Sequence, residues 1–384
     1  MKSSLKEQKL TIYLEGEINS NNASIIEQEL LNVIKANEFN NLILNIKDVT
    51  YISSAGLRII LKVKQLYNNV EIIDASLEVY DIFNMTGFTN IMTIRKKLNE
   101  INVDGCELIG EGYCSYVYRI DKDTIIKVFK GDVEYKEVER ELNLAKEAFV
   151  LGIPTAISFD VVTVKGHYGV RFEMLDSLSL KALFLKYPED EEKLIDEYTK
   201  LLKTINTTST TDTSLPDANL VFLNKLNMIK ELINQDEFNK IYDMAQRIPK
   251  KDTFVHGDCH IKNIMSQDGE LFLIDMDTLS RGNPIFELSA IYATYIIFEE
   301  CFPGNNEQFL GISKELSQRI IFGVYHRYIT NDYDNNMNKI ALVAYLHIIH
   351  WAKINGSKYD VMITVAKNHI HELINKVNDL DLGI

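Results

Sequence analysis

The sequence contains little cysteine, proline or tryptophan, with 4 Cys, 6 Pro and 1 Trp in 384 residues. The four cysteines show no CxxC or other metal-ligand spacing, which argues against a disulfide scaffold and against a zinc ribbon. Free thiols are the default for a reducing compartment, so we expect a cytoplasmic protein.

Long hydrophobic runs are also missing. The first seven residues include no apolar run, so no signal peptide is expected. The longest apolar stretches, Ile291–Phe298 and Ala341–Ala352, are too short to cross a membrane and predict buried helices. His347 and His350 interrupt the second stretch. Without a third ligand nearby, we interpret them as packing or surface residues and not as a metal site.

Positive charge is in deficit, since 41 Lys and Arg face 55 Asp and Glu, a formal net charge of −14. The imbalance lies in residues 101–384, because residues 1–100 are nearly neutral. A strongly acidic second part argues against nucleic acid as a partner. It would suit a cationic substrate, but solvated acidic surface is the commoner explanation.

Strands and helices alternate along the first hundred residues. Residues 9–18 alternate apolar and polar side chains, which is typical of a strand with one buried face. Helical spacing follows near residues 25–34 and 55–66, with short apolar strands near residues 42–46, 70–73 and 91–94. This order predicts a small α/β layer fold with no acid–base cluster.

The segment Asp48–Leu57 resembles the signature loop of STAS domains, the fold of bacterial anti-sigma-factor antagonists, and the resemblance covers about residues 8–98. Such domains are typically binding modules, which implies a protein partner or self-association. Phosphorylatable members carry Ser where this chain has Ala55. Ser54 is a candidate substitute for that phosphosite, although capping of the following helix is the favoured interpretation.

The densest polar motif is His256-Gly257-Asp258-Cys259-His260-Ile261-Lys262-Asn263, followed by an apolar run that delivers Asp275. Phosphoryl transfer needs a group to hold the attacking hydroxyl and oxygen ligands to hold Mg²⁺ against the phosphates. Asp258 suits the first role, and Asn263 and Asp275 suit the second. Together, the spacings make a chance turn an unlikely explanation.

A second polar group lies more than a hundred residues upstream. Gly110 and Gly112 lie between two predicted strands, where a missing Cβ lets backbone amides approach a triphosphate. Lys127 lies in a strongly apolar strand and needs a partner there. Glu141 on the following helix is the predicted partner, with Glu137 and Glu139 as neighbours on the same helix.

Together these motifs resemble the aminoglycoside phosphotransferase and choline kinase branch of the protein-kinase-like fold, over residues 105–300. The resemblance implies a phosphotransferase with an alcohol acceptor, with ATP and Mg²⁺ between two lobes. Lys127 would contact the α- and β-phosphates and Glu141 would orient it. Asn263 and Asp275 would bind Mg²⁺, and Asp258 would position and deprotonate the acceptor hydroxyl.

Two positions depart from that branch. Glu287 stands where Asp is usual, and we expect it to help hold the catalytic loop. Lys262 stands where a small residue is common, and it could contact phosphate or point to solvent. In addition, the exit of the last strand of the first lobe, at Glu173 and Met174, would be the hinge that binds adenine through backbone groups.

The sequence therefore predicts two domains, a STAS-like layer fold in residues 1–100 and an α+β bilobal kinase-like fold in residues 101–384. The N-lobe is predicted at about 101–175 and the helical C-lobe at about 176–384, with a polar loop at residues 207–216. The acceptor is expected to be a small hydroxylated molecule such as a metabolite, a sugar or an aminoglycoside.

Two other functions stay open. The STAS-like domain would suit a Ser/Thr protein kinase of a bacterial partner-switching pathway. Alternatively, the second domain could sense nucleotide without turnover while the first binds a partner. Labelled ATP offered to candidate proteins and to small molecules would distinguish these alternatives.

Overall fold

The computed structural model describes residues 1–112, 114–175, 177–210 and 215–384. The chain forms two compact units, Met1–Asn102 and Val103–Ile384. Residues 211–214 of the predicted polar loop lie outside the described residues. Within the described part of the chain, none of the helices is long and apolar enough to span a bilayer.

The first unit is a five-stranded sheet, ordered β1-β2-β3-β4-β5, with three helices. Strands β1 and β2 are antiparallel, and the remaining neighbours are parallel, as the strand–helix alternation predicts. The sequence pattern missed β1. The elements are β1 (Lys2–Lys6), β2 (Lys9–Ile18), α1 (Ala23–Lys35), β3 (Asn41–Ile52), α2 (Ser54–Leu66), β4 (Val70–Ala75), α3 (Leu77–Met85), β5 (Thr93–Lys96) and the short β6 (Asn99–Glu100).

Alternating side chains of the sheet form the core of this unit. Leu10, Ile12 and Leu14 on β2 are buried, and apolar residues of α2 pack over them in the same cluster. At the start of α2, a Cβ at Gly56 would lie 2.7 Å from the Ile52 side chain and 2.8 Å from that of Ile18. Glycine is therefore required where this helix meets the ends of two strands.

The second unit begins with antiparallel strands and one long helix. Within this unit the strand order is β10-β11-β9-β8-β7, and helix α4 packs against β10 and β11. The N-lobe predicted from the kinase-like resemblance is therefore present. Its elements are β7 (Glu107–Glu111), β8 (Ser115–Arg119), β9 (Thr124–Phe129), α4 (Tyr135–Val150), β10 (Ser158–Val164) and β11 (His167–Glu173).

The remainder of the second unit is mostly helical, with two small sheets that lie on either side of the loop at residues 256–263. Strand β12 pairs with the β14–β15 hairpin, and β13 pairs with β16. The elements are β12 (Leu178–Ser179), α5 (Leu180–Lys186), α6 (Glu191–Thr207), α7 (Ala218–Ile229), α8 (Gln235–Gln246), β13 (Phe254–Val255), β14 (Ile264–Gln267), β15 (Glu270–Leu273), β16 (Ser280–Arg281), α9 (Ile285–Tyr292), α10 (Phe298–Cys301), α11 (Lys314–Tyr328), α12 (Tyr333–Asn355) and α13 (Asp360–Leu373).

Two helical stretches of this unit are interrupted. The stretch from Ala218 to Gln246 forms α7 and α8, because Asn234 caps a new helix by accepting the N–H groups of Asp236 and Glu237. The helix after residue 285 is interrupted by a π-helical turn, Ala293–Ile297, and a second π turn follows at Asn306–Leu310. Such turns insert a residue into the helix and often lie at functional sites.

Candidate active site

The loop from His256 to Asn263 lies between β13 and β14, and the β14–β15 hairpin returns the chain beside it. The N–H of Ile274 donates to the carbonyl of Asn263 over 2.9 Å. Asp275 therefore leaves the hairpin next to the end of the loop. Its backbone is left-handed, with φ of 69°, a turn conformation that aspartate adopts more readily than most residues.

The buried carboxylate of Glu287 fixes the start of this loop. Its Oε2 accepts the N–H of His256 at 2.5 Å, and its two oxygens lie 3.2 and 3.3 Å from the N of Gly257. Burial raises the pKa of Glu287 to about 7, although these N–H groups favour the charged form. The expectation that Glu287 holds the loop is confirmed.

Two buried tyrosines hold the middle of the loop. The hydroxyl of Tyr198 on α6 donates to the carbonyl of Cys259, and the hydroxyl of Tyr295 accepts the N–H of Ile261 at 3.1 Å. Tyr198 was not identified from the sequence as a site residue, and its hydroxyl is the polar part of an otherwise apolar ring. Burial raises the pKa of the Cys259 thiol well above its usual range, so it is no thiolate nucleophile.

Asp258 lies under the influence of several negative charges. Burial raises the pKa of Asp258 to about 7, assisted by the charges of Asp275, Asp277 and Glu287. The Nδ2 of Asn263 opposes this shift by donating to Asp258 Oδ2 at 3.1 Å and to its carbonyl at 3.0 Å. Such a carboxylate can accept a proton near neutral pH.

His260 lies beside Asp258, with 3.6 Å between its Nε2 and Asp258 Oδ2. Burial lowers the pKa of His260 to about 4. The ring is therefore neutral near pH 7, and the two side chains do not form an ion pair.

Lys127 connects the two lobes of the second unit. Its Nζ donates to Glu141 Oε1 on α4 and to Asp275 Oδ1, each over 2.7 Å. Burial alone would lower the pKa of Lys127, but the charges of Glu141 and Asp275 raise it above its usual value. The motif from residue 256 onward and the upstream lysine therefore meet at one place.

Gly110 lies on β7 opposite Val117, and Gly112 follows that strand. Neither has a positive φ, and a Cβ at Gly110 would approach Val117 no closer than 3.5 Å. At Gly112 the closest approach would be 3.7 Å, to Ser115. Neither backbone strain nor packing among the described residues therefore demands glycine here.

The predicted hinge lies at the end of β11. Glu173 accepts the N–H of Ile157 through its Oε1 at 2.8 Å, and the N–H of Met174 donates to the carbonyl of Asp123 at 2.8 Å. The Met174 N–H is thus used within the protein. A nucleotide base would have to meet the carbonyl side of this segment instead.

The candidate metal ligands are chemically suited to Mg²⁺. Asn263 turns its amide nitrogen toward Asp258, and Asp275 supplies a carboxylate, so both offer oxygen donors. Among the described residues no three His, Cys, Asp or Glu side chains form a complete metal cage.

Asp277 is a residue that sequence reasoning did not single out for this site. Burial raises its pKa, and the charge of Asp275 raises it further, while Lys127 opposes the shift. The turn Met276–Thr278 brings this second carboxylate close to the first. The alternation of Asp at positions 275 and 277 was the available indication.

On its other side the loop faces basic and aromatic groups. The Nζ of Lys262 lies 4.6 Å from the ring centroid of Phe309, and that ring meets His260 edge-on at 5.2 Å. Burial lowers the pKa of Lys262, and the nearby charge of Lys181 lowers it further. Lys181 on α5 was not predicted to belong to the site.

The first unit corrects the prediction for Ser54. The residue that caps α2 is Ser53, whose Oγ accepts the N–H of Ala55 at 3.2 Å and that of Gly56 at 3.5 Å. Ser54 is the first helical residue, and it is exposed. Capping was assigned one residue too late because two adjacent serines satisfy the same pattern.

The chain is similar to two known families. The model described as "STAS domain" matches residues 4–101, and the model described as "Phosphotransferase enzyme family" matches residues 105–304, which is more than half of the chain. A protein of Bordetella bronchiseptica that is named as an anti-sigma factor antagonist, BtrV, is 32% identical over 85 residues, covering 21% of this chain and 72% of that protein. These matches confirm both resemblances and the two-domain fold class.

Solved structures include similar chains at low identity. A thermostable mutant of an aminoglycoside phosphotransferase, in its apo form, is 12% identical with a TM-score of 0.46, covering 70% of this chain and 94% of that one. A choline/ethanolamine kinase family protein from Mesorhizobium loti is 11% identical with a TM-score of 0.44, covering 70% of this chain and 87% of that one.

Proposed function

The chain belongs to the phosphotransferase enzyme family, with an amino-terminal STAS domain, and on that premise we propose that it transfers the γ-phosphoryl group of ATP to a hydroxyl of a small molecule. One observation carries the proposal. The Nζ of Lys127 contacts Glu141 and Asp275 at 2.7 Å each, beside the loop that holds Asp258 and Asn263. Five polar groups from distant parts of the chain thus converge at one place.

Each of these groups has a role in the proposed transfer. Lys127 donates to the α- and β-phosphates while Glu141 keeps its ammonium group oriented. Asn263 and Asp275 hold Mg²⁺, which neutralises phosphate charge when it is bound. Asp258 accepts the proton of the acceptor hydroxyl as that oxygen attacks phosphorus, and ADP leaves. Gly110 and Gly112 keep β7 open to the phosphates, since packing supplies no other reason for glycine there.

The STAS domain is proposed to bind a protein partner or a second copy of the chain. This part of the proposal rests on the family match and on the relative named as an anti-sigma factor antagonist. An enzyme with such a domain would have its activity adjusted by a protein, while its chemistry stays in the second unit.

The test is ADP release from Mg·ATP in the presence of a panel of hydroxylated small molecules. We expect Asp258→Asn to lower kcat by about 10²–10⁴-fold, because the amide cannot accept the proton, with little change in the KM for ATP. Asp268→Asn makes the same chemical change in the exposed turn of the β14–β15 hairpin and serves as the control. Equal turnover in both variants would refute the role of Asp258. If labelled ATP were used and the label were transferred only to added proteins, the result would favour the protein-kinase alternative.

A further inference from the structure

The acceptor side of the catalytic loop presents positive charge in a chain of net charge −14. Lys262 comes directly before Asn263 in the loop and is exposed, and Lys181 lies on α5. Strand β12 brings α5 to the loop, because it pairs with β14 and the N–H of Lys181 donates to the carbonyl of Ile261 at 3.1 Å. The two lysines therefore leave adjacent pieces of backbone.

Both ammonium groups reach the same segment, Phe309 to Gly311. The Nζ of Lys262 lies over the Phe309 ring at 4.6 Å, and the Nζ of Lys181 lies so close to Gly311 that a Cβ there would clash with it. Phe309 is itself partly exposed. The arrangement is an open surface with two cations and one aromatic ring beside Asp258.

The segment that carries this surface is firmly held. Buried Glu299 accepts the N–H groups of Gly304 at 2.9 Å and Asn306 at 2.8 Å. The side chain of Asn306 donates to the carbonyl of Tyr295 at 3.0 Å, and the hydroxyl of Tyr295 contacts the catalytic loop at Ile261. The π turn Asn306–Leu310 is thus positioned by the same residue as the loop.

Within the described part of the chain, neither lysine has a carboxylate at ion-pair distance. Lys127 and Lys130, which lie on the nucleotide side, are paired with Glu141 and Asp275 and with Glu111, respectively. Lys181 and Lys262, in contrast, form no ion pair with any of the described residues. Two adjacent cations that lack an ion-pair partner repel each other, and a bound anion would relieve that repulsion.

We propose that the acceptor is an anionic hydroxylated molecule, whose carboxylate or phosphate group binds between Lys181 and Lys262 while its hydroxyl meets Asp258. The inference rests on the proposed function and specifies its substrate class. In the step itself, the hydroxyl oxygen forms the new bond to the γ-phosphorus, its proton passes to Asp258, and the bond to the ADP oxygen breaks. The anionic group stays on the lysines throughout and takes no part in the bond changes.

A cationic acceptor fits this surface poorly. The overall negative charge would attract it from a distance, but the two lysines would repel it at the point where its hydroxyl must bind. For an anion the two effects are reversed. The net negative charge of the chain repels it from a distance, but Lys181 and Lys262 attract it at the point where it must bind. The negative group of the protein that acts on Lys262 is Asp258 itself, and Glu307 belongs to the same π turn as Phe309.

The first experiment compares acceptors with one carbon skeleton and different charge. Glucose, glucosamine, gluconate and glucose 6-phosphate are offered to the full chain with Mg·ATP, together with glycerol, glycerate and glycerol 3-phosphate, and ADP release is measured. We expect transfer to the anionic members only, and the carboxylates and phosphates distinguish the two sources of negative charge. Preferred transfer to glucosamine or to the neutral members would overturn the inference while the proposed phosphotransferase stands.

The second experiment changes the lysines. Lys181→Met and Lys262→Met keep the length of the side chain and remove its charge, and each is expected to lower kcat/KM for the anionic acceptor by about tenfold. Lys186→Glu, an exposed charge reversal on the same helix α5, is the control and should change kcat/KM by less than about twofold. Equal effects of all three variants would contradict a specific site.

Binding separates this inference from the proposed function. Glycerate and glycerol 3-phosphate are titrated calorimetrically into the full chain with Mg²⁺ and a non-hydrolysable ATP analogue. We expect saturable binding that both Met variants weaken about tenfold. If binding behaves so but no acceptor is phosphorylated, the proposed function fails and the anion site stands. If the variants weaken the analogue and not the anions, the lysines serve the nucleotide phosphates and the inference fails.

Discussion

The interiors of the two units differ in kind. In the first unit, all of whose residues are described, the buried side chains are hydrophobic, from Leu10 on β2 to Met92 before β5. The second unit buries many polar and charged residues as well, including Glu141, His256 and Glu287. An apolar core is sufficient for a module that acts through its surface. A buried polar group is costly, and here such groups hold the backbone and side chains of the candidate active site.

Histidine follows the same division. All eight histidines lie beyond residue 102, and His256, His260 and His347 lie in surroundings that lower their pKa values. The second unit therefore contains groups whose protonation opposes folding, whereas the first contains no histidine. The comparison implies that loss of one buried polar group should damage the second unit in a way that has no counterpart in the first.

Among the changes that test this comparison between the units, Glu287→Ala has the largest expected effect. The change leaves the N–H groups of His256 and Gly257 without their carboxylate partner, and the loop that carries Asp258 loses its anchor. We expect kcat to fall by about 10²-fold, since small misplacements of catalytic groups have effects of that size. The free energy of unfolding of the second unit should fall by about 3 kcal/mol. Fluorescence of Trp351, the single tryptophan, reports on that unit.

Glu287→Asp provides the matched variant, since it keeps the carboxylate and shortens the side chain. We expect it to recover most of the stability and part of kcat, with the KM for ATP nearly unchanged. A residue that merely fills space would show no such recovery. If Glu287→Ala kept full turnover, the polar interior of the second unit would not be needed for its chemistry, and the comparison would fail.

The next largest expected effect is a loss of stability at acidic pH. Burial, together with the smaller effects of the charges of Lys225 and His350, lowers the pKa of His347 to about 3. The ring packs against Phe222 at 5.2 Å and Phe286 at 6.4 Å. Because the folded-state pKa lies below the ordinary value, stability is complete above about pH 6.5 and is lost as pH falls toward 3. Between pH 7 and pH 5 the contribution of this group should fall by about 2 kcal/mol.

Denaturant unfolding at pH 7 and pH 5, followed by Trp351 fluorescence, measures this loss. His347→Gln removes the titrating group and should therefore show a smaller decrease in stability than the unchanged chain, by about 2 kcal/mol. The variant is expected to be less stable at pH 7, so the pH-dependent difference is the relevant quantity. Identical pH dependence in both proteins would show that folding does not lower the pKa of His347.

The overall fold could be predicted from the sequence more completely than its local details. Periodicity and β-branched runs predicted the layers of the first unit and the strands of the N-lobe, because each hydrophobic face matches one secondary-structure period. Strand β1 was not predicted, because Lys2–Lys6 is mostly exposed and shows no apolar alternation. The π turn Ala293–Ile297 was not predicted either, because no local sequence pattern indicates an extra residue in a helix.

For the candidate site, the sequence indicated the residues that bear charge in unusual places, such as Lys127 in an apolar strand and Asp275 after one. It could not indicate Tyr198, because a tyrosine on an apolar helix face has the same pattern whether or not its hydroxyl holds a loop. The place of Lys181 in the site could not be predicted for a different reason. Its place beside Lys262 depends on β12 pairing with β14, a contact between residues that are far apart in sequence.

The smallest expected effect lies in the first unit and tests the other side of the comparison. Ser53→Ala removes the side chain that caps α2, and we expect the free energy of unfolding of this unit to fall by about 1 kcal/mol. Ser54→Ala removes an identical hydroxyl from the next, exposed position and should change stability by less than about 0.5 kcal/mol. Hydrogen exchange of peptides from residues 1–102 measures both, because this unit has no tryptophan.

The Ser53 and Ser54 pair also separates structure from regulation. Phosphate on Ser54 after incubation with ATP, found by mass spectrometry, would make the exposed serine a regulatory site in a unit whose core is unaffected by its loss. An unmodified Ser54 peptide would contradict that role. Equal destabilisation by Ser53→Ala and Ser54→Ala would instead contradict the cap assignment. Since both changes leave the apolar core intact, neither should alter kcat in the absence of a protein partner, in contrast with Glu287→Ala.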